Sequence, residues 1–318
     1  MLDRAPVGGW HLTAHAEATP IDIARFSLFG IPLSVRCNDA AVLAALAAYC
    51  DARPAIGIGG RALALSLIVD PSLAGAVAAP LRVDGMQMAI DGPGLVVRAD
   101  AGCGRGSCRL SSALRDDPEQ LRETVFDPLL LFLVARHGRT PLHAAGFMAG
   151  GFAVLLAGPS GAGKSCLTLA AHRAGFAPLS DDMVFVEDGV RPGVWGLPGA
   201  AHLFVQDAPG SDQVIRLRNG KHKRAVALGG DRAPCRADDA ALCLLRFGEA
   251  VALEPLAPAE AMRAFAVLEP GFDLLADEIA TAAGTLAQRG AWSLTLSDRP
   301  DEAIALLAAR LPLLRGGR

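Results

Sequence analysis

The chain has 318 residues, 52% of them hydrophobic, with a mean hydropathy of +0.34 and a formal charge of −3 at pH 7, enough for two domains or one large one around a sizeable core. The small negative charge argues against non-specific nucleic-acid binding, no uncharged apolar run reaches the roughly 18 to 20 residues of a membrane-spanning helix, and the first residues lack the basic and apolar regions of a secretory signal. Seven cysteines, odd in number and scattered, fit reduced thiols and a cytoplasmic location.

In chain order, residues 1–20 are polar and irregular and read as a tail or a first edge strand. Arg25–Arg36 alternates as a strand or hairpin. Asp39 suits the N-cap of a helix running to Cys50. Ala62–Val69 alternates as a strand. Leu81–Asp84, Met86–Ile90 and Gly94–Ala99 read as short strands joined by turn residues, Asp91-Gly92 among them. Cys103 and Cys108 are the one close cysteine pair; without a second pair or a nearby histidine they read as ordinary residues of a hairpin loop. Residues 1–115 therefore form a strand-rich α+β domain with no visible chemistry of its own, suited to recognising a substrate or partner or to shielding the rest of the chain. Asp116-Asp117-Pro118-Glu119 marks the boundary with a second domain, 116–318. Its first helix, Glu119–His137, carries Leu121, Val125, Leu129, Phe132 and Leu133 at helical spacing, with Pro128 set to kink or split it. That helix is expected to pack against the sheet of the second domain.

The chemistry begins at Pro141-Leu142-His143-Ala144-Ala145-Gly146, ahead of a predicted hairpin over 147–154 and beyond. An apolar strand, Phe152–Ala157, leads into Gly158-Pro159-Ser160-Gly161-Ala162-Gly163-Lys164-Ser165, which fits G-x-x-x-x-G-K-[ST] at every fixed position. Cys166–Ala174 comes next as a packed helix. Strand, glycine loop and helix in this order are the context in which the motif binds phosphate. Glycines let the backbone approach a ligand closely, and the loop N–H groups with the helix N-terminus make a cradle for anions. Lys164 would meet the β- and γ-phosphates, and Ser165 would offer its hydroxyl to Mg²⁺ or Mn²⁺. Downstream, Leu179–Val186 reads as strand, acid doublet, strand. Asp181 and Asp182 in such a corner could hold a metal, act as a base, or do both; alone they would as readily make a surface turn. Their distance from the glycine loop, one helix and one strand, favours chemistry.

Short strands are expected at 194–197, 202–205, 214–217 and 224–228. The basic run Arg216–Arg224 is either a solvated hairpin tip or a lid on the phosphates, with Lys223 and Arg224 as its contacts. A further hairpin is predicted from 241–247 and 251–256, helices over 258–268 and 272–288, a strand over 291–296 and a closing helix over 300–311.

His143, the loop 158–165 and the doublet Asp181-Asp182, in this order, resemble the HPr serine kinase/phosphorylase family. The resemblance covers about residues 139–190, with a weaker likeness to 230, and leaves the N-terminal third unexplained. It implies an α/β (α+β) fold, with a P-loop kinase core of the HPr kinase and phosphoenolpyruvate carboxykinase type behind a smaller strand-rich domain. It also implies ATP and a divalent metal as cofactors and a seryl hydroxyl on a protein as acceptor. Carried over by position, one of Asp181 and Asp182 takes the serine proton and the other supports the metal or the base, Ser165 and Asp182 being the expected metal contacts. His143 sits beside the reacting phosphate, and the nucleotide lies on 158–166, Cys166 included, and on Arg224. Two departures matter: Cys166 stands where the bifunctional enzymes carry an acid, and their glycine-rich signature after the aspartates is missing, which argues against the phosphorylase direction. Relatives of this general look, with long N-terminal extensions, occur beside ribosomal peptide pathways, lasso peptides included, and modify a serine of the precursor. The family often forms homo-oligomers, which the extension could block. The motif itself does not name the acceptor, so a small-metabolite kinase and a nucleotide-gated binding module without catalysis remain the alternatives.

Overall fold

The computed structural model describes residues 21–50, 62–75, 80–204, 214–216, 222–229, 235–263, 265 and 273–316. The N-terminal tail, positions 217–221 of the basic run and most of 264–272 lie outside these. The fold is mixed α/β and mostly strand, built as several sheets. No helix among the described residues is long and apolar enough to cross a membrane, and all seven cysteines are free thiols.

The first sheet has seven strands: β1 (Asp22–Leu28), β2 (Ile31–Cys37), β3 (Leu63–Val69), β4 (Leu81–Asp84), β5 (Gln87–Gly92), β6 (Leu95–Asp100) and β7 (Arg105–Leu110), in the order β1-β2-β3-β7-β6-β5-β4. Between β2 and β3 runs helix α1 (Ala40–Cys50), and Asp39 caps it as expected, its carboxylate accepting from the N–H groups of Ala41 and Val42 at 2.9 and 3.1 Å. The turn after β5 falls at Pro93-Gly94 rather than at Asp91-Gly92, because Gly92 still pairs with Leu95. Cys108 is buried within β7 and only Cys103 lies in the turn, so the pair does not share a loop.

Short helices α2 (Ser112–Arg115) and α3 (Pro118–Leu121) lead through a π turn, Arg122–Phe126, into α4 (Asp127–Ala135). The predicted effect of Pro128 takes this form. Proline has no N–H to give and crowds the preceding turn, and the chain widens by one residue just before it, the Asp127 N–H donating to the Arg122 carbonyl. One expectation is corrected here. Leu121, Val125, Phe126, Leu129, Leu130 and Leu133 pack into one core with the seven-stranded sheet, not with the glycine-loop sheet. That core extends to Phe185 and Trp195 further along the chain. The β1–β2 turn docks there: Phe29, at φ 50°, stacks on Phe185 with ring centroids 3.8 Å apart. A Cβ on the adjoining Gly30 would lie 2.7 Å from the Trp195 ring.

Past α4 come β8 (Arg139–Leu142), β9 (Ala144–Ala149), β10 (Phe152–Ala157), helix α5 (Lys164–Arg173), β11 (Ala177–Ser180) and β12 (Val184–Glu187). After them run β13 (Val194–Gly196), β14 (Ala200–Phe204), β15 (Val214–Arg216), β16 (His222–Ala227), β17 (Cys235–Ala237), β18 (Asp239–Phe247) and β19 (Ala252–Pro255). The chain ends with α6 (Pro258–Arg263), α7 (Ala276–Arg289), β20 (Ala291–Leu296) and α8 (Pro300–Gly316). They make a six-stranded sheet β11-β9-β10-β18-β20-β19, a four-stranded sheet β17-β13-β12-β8 and a three-stranded sheet β14-β16-β15. β10 is buried at every residue, as expected of an inner strand with helices on both faces: α5 and α8 cover one face and α6 and α7 the other. Helix α7 turns Ile279, Ala282, Ala283, Leu286 and Ala287 inward, the spacing of a single helical stripe. The predicted hairpin of β18 and β19 does not form. β20 lies between them, parallel to β18 and antiparallel to β19.

Candidate active site

The site is made where the chain changes sheets. β8 belongs to the four-stranded sheet and β9 to the six-stranded one; the single residue between them is His143. The reverse crossing, from β11 to β12, is made through Asp181, Asp182 and Met183. Both crossings fall beside the loop from β10 to α5. His143 thus lies just before the β9–β10 hairpin, ahead of it as the sequence order implied.

The loop keeps its shape through glycine and lysine. Gly161 and Gly163 have φ of 89° and 94°, a region that a side chain would strain, and Gly163 forms the N-cap of α5. Lys164 is buried; its Nζ donates to the Gly158 carbonyl at 2.6 Å and the Pro159 carbonyl at 3.3 Å. The ammonium therefore closes the loop on itself, and its contact with a phosphate would require exchanging these carbonyls for phosphate oxygens. Ala162 points into the core against the six-stranded sheet.

Around this loop is a cleft of about 200 Å³. Of the residues singled out from the sequence, its lining includes His143, Ser160, Gly161, Gly163, Lys164, Ser165, Cys166, Asp181, Asp182 and Lys223. Gly158, Pro159, Ala162 and Arg224 are not among its lining residues. Neighbours on a strand face opposite ways, and on β16 it is Lys223 that turns inward, its ammonium 5.5 Å from the centre of the Phe204 ring.

The two acids differ sharply. Asp182 is exposed, and its Oδ1 lies 3.5 Å from Nδ1 of His143. Asp181 is buried at 7% exposure. Its Oδ2 accepts from the backbone N–H of His202 at 2.8 Å and lies 3.2 Å from the same residue's Nδ1. Its Oδ1 is buried with no hydrogen-bond partner, an arrangement that costs a carboxylate free energy unless something relieves it. The residues fit a divalent cation to this extent: Asp181, Asp182 and Ser165 line one cleft, and one Asp181 oxygen has no hydrogen-bond partner. Among the described residues no three His, Cys, Asp or Glu side chains form a self-sufficient metal cluster. A cation bridging to phosphates needs only one or two carboxylates from the protein.

His202 and Phe204 line the cleft from β14, and no sequence signal pointed to them. His202 is an isolated histidine in a short strand, placed only by the packing of the three-stranded sheet beside Asp181.

Comparison with known proteins adds little. No protein-family model matches the chain, and no curated protein matches it. Among solved structures, the Hpr(Ser) kinase/phosphatase from Coxiella burnetii is a weak neighbour: 12% sequence identity, a TM-score of 0.29, and coverage of 55% of this chain and 97% of that one. At that score the functional reading rests on the residues of the cleft itself.

Proposed function

We propose that this protein is an ATP-dependent kinase that transfers the γ-phosphoryl group to a seryl hydroxyl of a peptide or small protein, a ribosomal peptide precursor of the lasso kind being the leading candidate. The observation that carries the reading is the meeting of the glycine loop with Lys164, the His143 and Asp182 pair and the buried Asp181 in one cleft. Those residue types supply what phosphoryl transfer needs: a phosphate cradle, a cation ligand and a base.

The roles divide by environment. The glycine loop, Lys164 and Lys223 neutralise the triphosphate. Ser165 and Asp181 would hold Mg²⁺ or Mn²⁺, which would supply charge neutralisation; Asp181 rather than Asp182, expected from the sequence, is the favoured ligand because one of its oxygens has no hydrogen-bond partner. Asp182, exposed and paired with His143, accepts the proton of the seryl hydroxyl as its oxygen bonds to phosphorus and the bond to ADP breaks. His143, its Nδ1 3.5 Å from Oδ1, orients that carboxylate. Most of the barrier is lowered by position and electrostatics rather than by covalent chemistry.

Binding and single-turnover assays with radiolabelled ATP test this. Lys164→Ala is expected to abolish nucleotide binding. Asp182→Asn is expected to keep ATP affinity within about threefold and to lower transfer by roughly 10²-fold or more, the size of a general-base contribution. Undiminished transfer by Asp182→Asn and Asp181→Asn together would remove the assignment.

A further inference from the structure

Next to the phosphate cleft lies a larger one of about 800 Å³, within the range of specific ligand sites. Its walls are mainly apolar and come from distant parts of the chain, with Leu81, Val83, Met88, Leu131, Met183 and Leu197 among them. Asp182 and His202 line both spaces, so the two meet at these residues. We infer that this apolar cleft receives the acceptor as an extended peptide, in which the phosphorylated residue is flanked by apolar side chains. The inference rests on the phosphotransfer reading above and adds to it the class of substrate.

Position is the first argument. A hydroxyl that loses its proton to Asp182 must approach from a space that opens on that carboxylate, and this cleft does so. Met183, the next residue, already belongs to its wall, so whatever flanks the hydroxyl meets apolar surface. Chemistry is the second. Leu81, Val83, Leu131 and Met183 are only partly buried. Covering them with apolar side chains removes apolar surface from water and is favourable, whereas a charged flank would lose hydration against them. The polar lining groups away from the doublet pair with one another: the Tyr49 hydroxyl donates to Asp127 Oδ1 at 2.9 Å, and Arg122 lies 4.0 Å from Glu123. Burial, and then the Asp127 carboxylate, hold the Tyr49 phenol well above its usual pKa, so it stays neutral.

Shape is the third. β4 is the last strand of its sheet and pairs only with β5 among the described residues. Leu81 and Val83 line the cleft, while Arg82 and Asp84 face solvent. An edge strand offers a row of backbone donors and acceptors that suits an extended peptide.

The test uses the full chain and two pools of short peptides, each with one central serine. Leu, Val and Phe flank it in one pool, Glu and Lys in the other. Fluorescence anisotropy reads binding of the labelled pools, and radiolabelled ATP reads transfer. The native protein is expected to bind the apolar pool at least roughly tenfold more tightly. Val83→Lys and Leu197→Lys, both at positions exposed enough to accept lysine, are each expected to bring that ratio to about one while thermal melting stays cooperative. A ratio near one in the native protein, or an unchanged ratio in both folded variants, overturns the inference. Selective binding without transfer of label would defeat the kinase reading and leave the cleft's preference standing. Equal labelling of both pools would do the reverse.

Discussion

Lys164 and the doublet Asp181-Asp182 show how one residue type takes different work from its surroundings. The Lys164 ammonium is held by the Gly158 and Pro159 carbonyls, so the loop has its shape without a ligand, and an anion that took over the ammonium would have to displace these carbonyls. The two aspartates are adjacent in sequence yet one is buried and the other 68% exposed at its side chain. His202 accounts for part of the difference by clasping Asp181 through its backbone N–H and facing it with its ring. His202→Ala removes the ring and leaves the backbone contact. The expected result is a rise of roughly tenfold in the Mn²⁺ concentration giving half-maximal transfer, about 1.4 kcal/mol, with ATP affinity measured without metal unchanged. A metal titration that does not move would show that the ring has no part in holding Asp181.

At the scale of elements, the site depends on how closely strands approach one another. Gly196, the last residue of β13, sits where an added Cβ would lie 2.2 Å from the Leu179 carbonyl oxygen of β11. Both partners are backbone, so neither can yield without moving a strand. Gly196→Ala is therefore expected to cost at least about 2 kcal/mol in chemical denaturation. Because β11 ends at Ser180, directly before Asp181, the variant that still folds is expected to lose transfer more than nucleotide binding. The π turn before α4 belongs to the same scale. Pro128 marked the position of the irregularity in the sequence, and Leu121, Val125 and Leu129 reach one core across the widened turn.

Across the whole molecule, the N-terminal sheet is fastened to the rest through the four-stranded sheet, and Glu187 is the knot. It accepts from Arg236 Nε and Nη2 at 3.0 and 2.8 Å and from the Trp195 indole at 2.8 Å, and Arg139 lies 3.2 Å away. Arg139 in turn donates to the Phe29 carbonyl in the β1–β2 turn at 2.9 Å. The Arg236 hydrogen bonds, followed by those from Trp195 and by the charge of Arg139, hold the Glu187 carboxyl at about 2 against an ordinary 4.5. A depressed pKa contributes stability above the unfolded value and loses it as pH falls toward the folded one. The contribution, about 3 kcal/mol, is thus present above about pH 4.5 and lost between there and pH 2. Glu187→Gln is expected to flatten the fall in denaturation free energy across that window. A wild-type curve no steeper than the variant's would exclude the linkage.

The glycine loop, its flanking strand and helix, the Asp39 cap and the last strand were all legible in the residues. Each depends on contacts a few positions apart, where turn chemistry, capping and apolar period act directly. The partners of β18 and β19, the sheet that receives the 118–135 helix, the inward turn of Lys223 rather than Arg224, and the arrival of His202 beside Asp181 were not. They depend on which apolar faces find each other over long separations, and a periodic pattern shows that a face must be covered without showing by what. By itself, then, the sequence determined which residues could bind phosphate and carry a proton, because those abilities belong to side chains and loops. Only the tertiary structure decided that they share one cleft and that a larger apolar one opens beside it, because that outcome is a property of how four sheets pack.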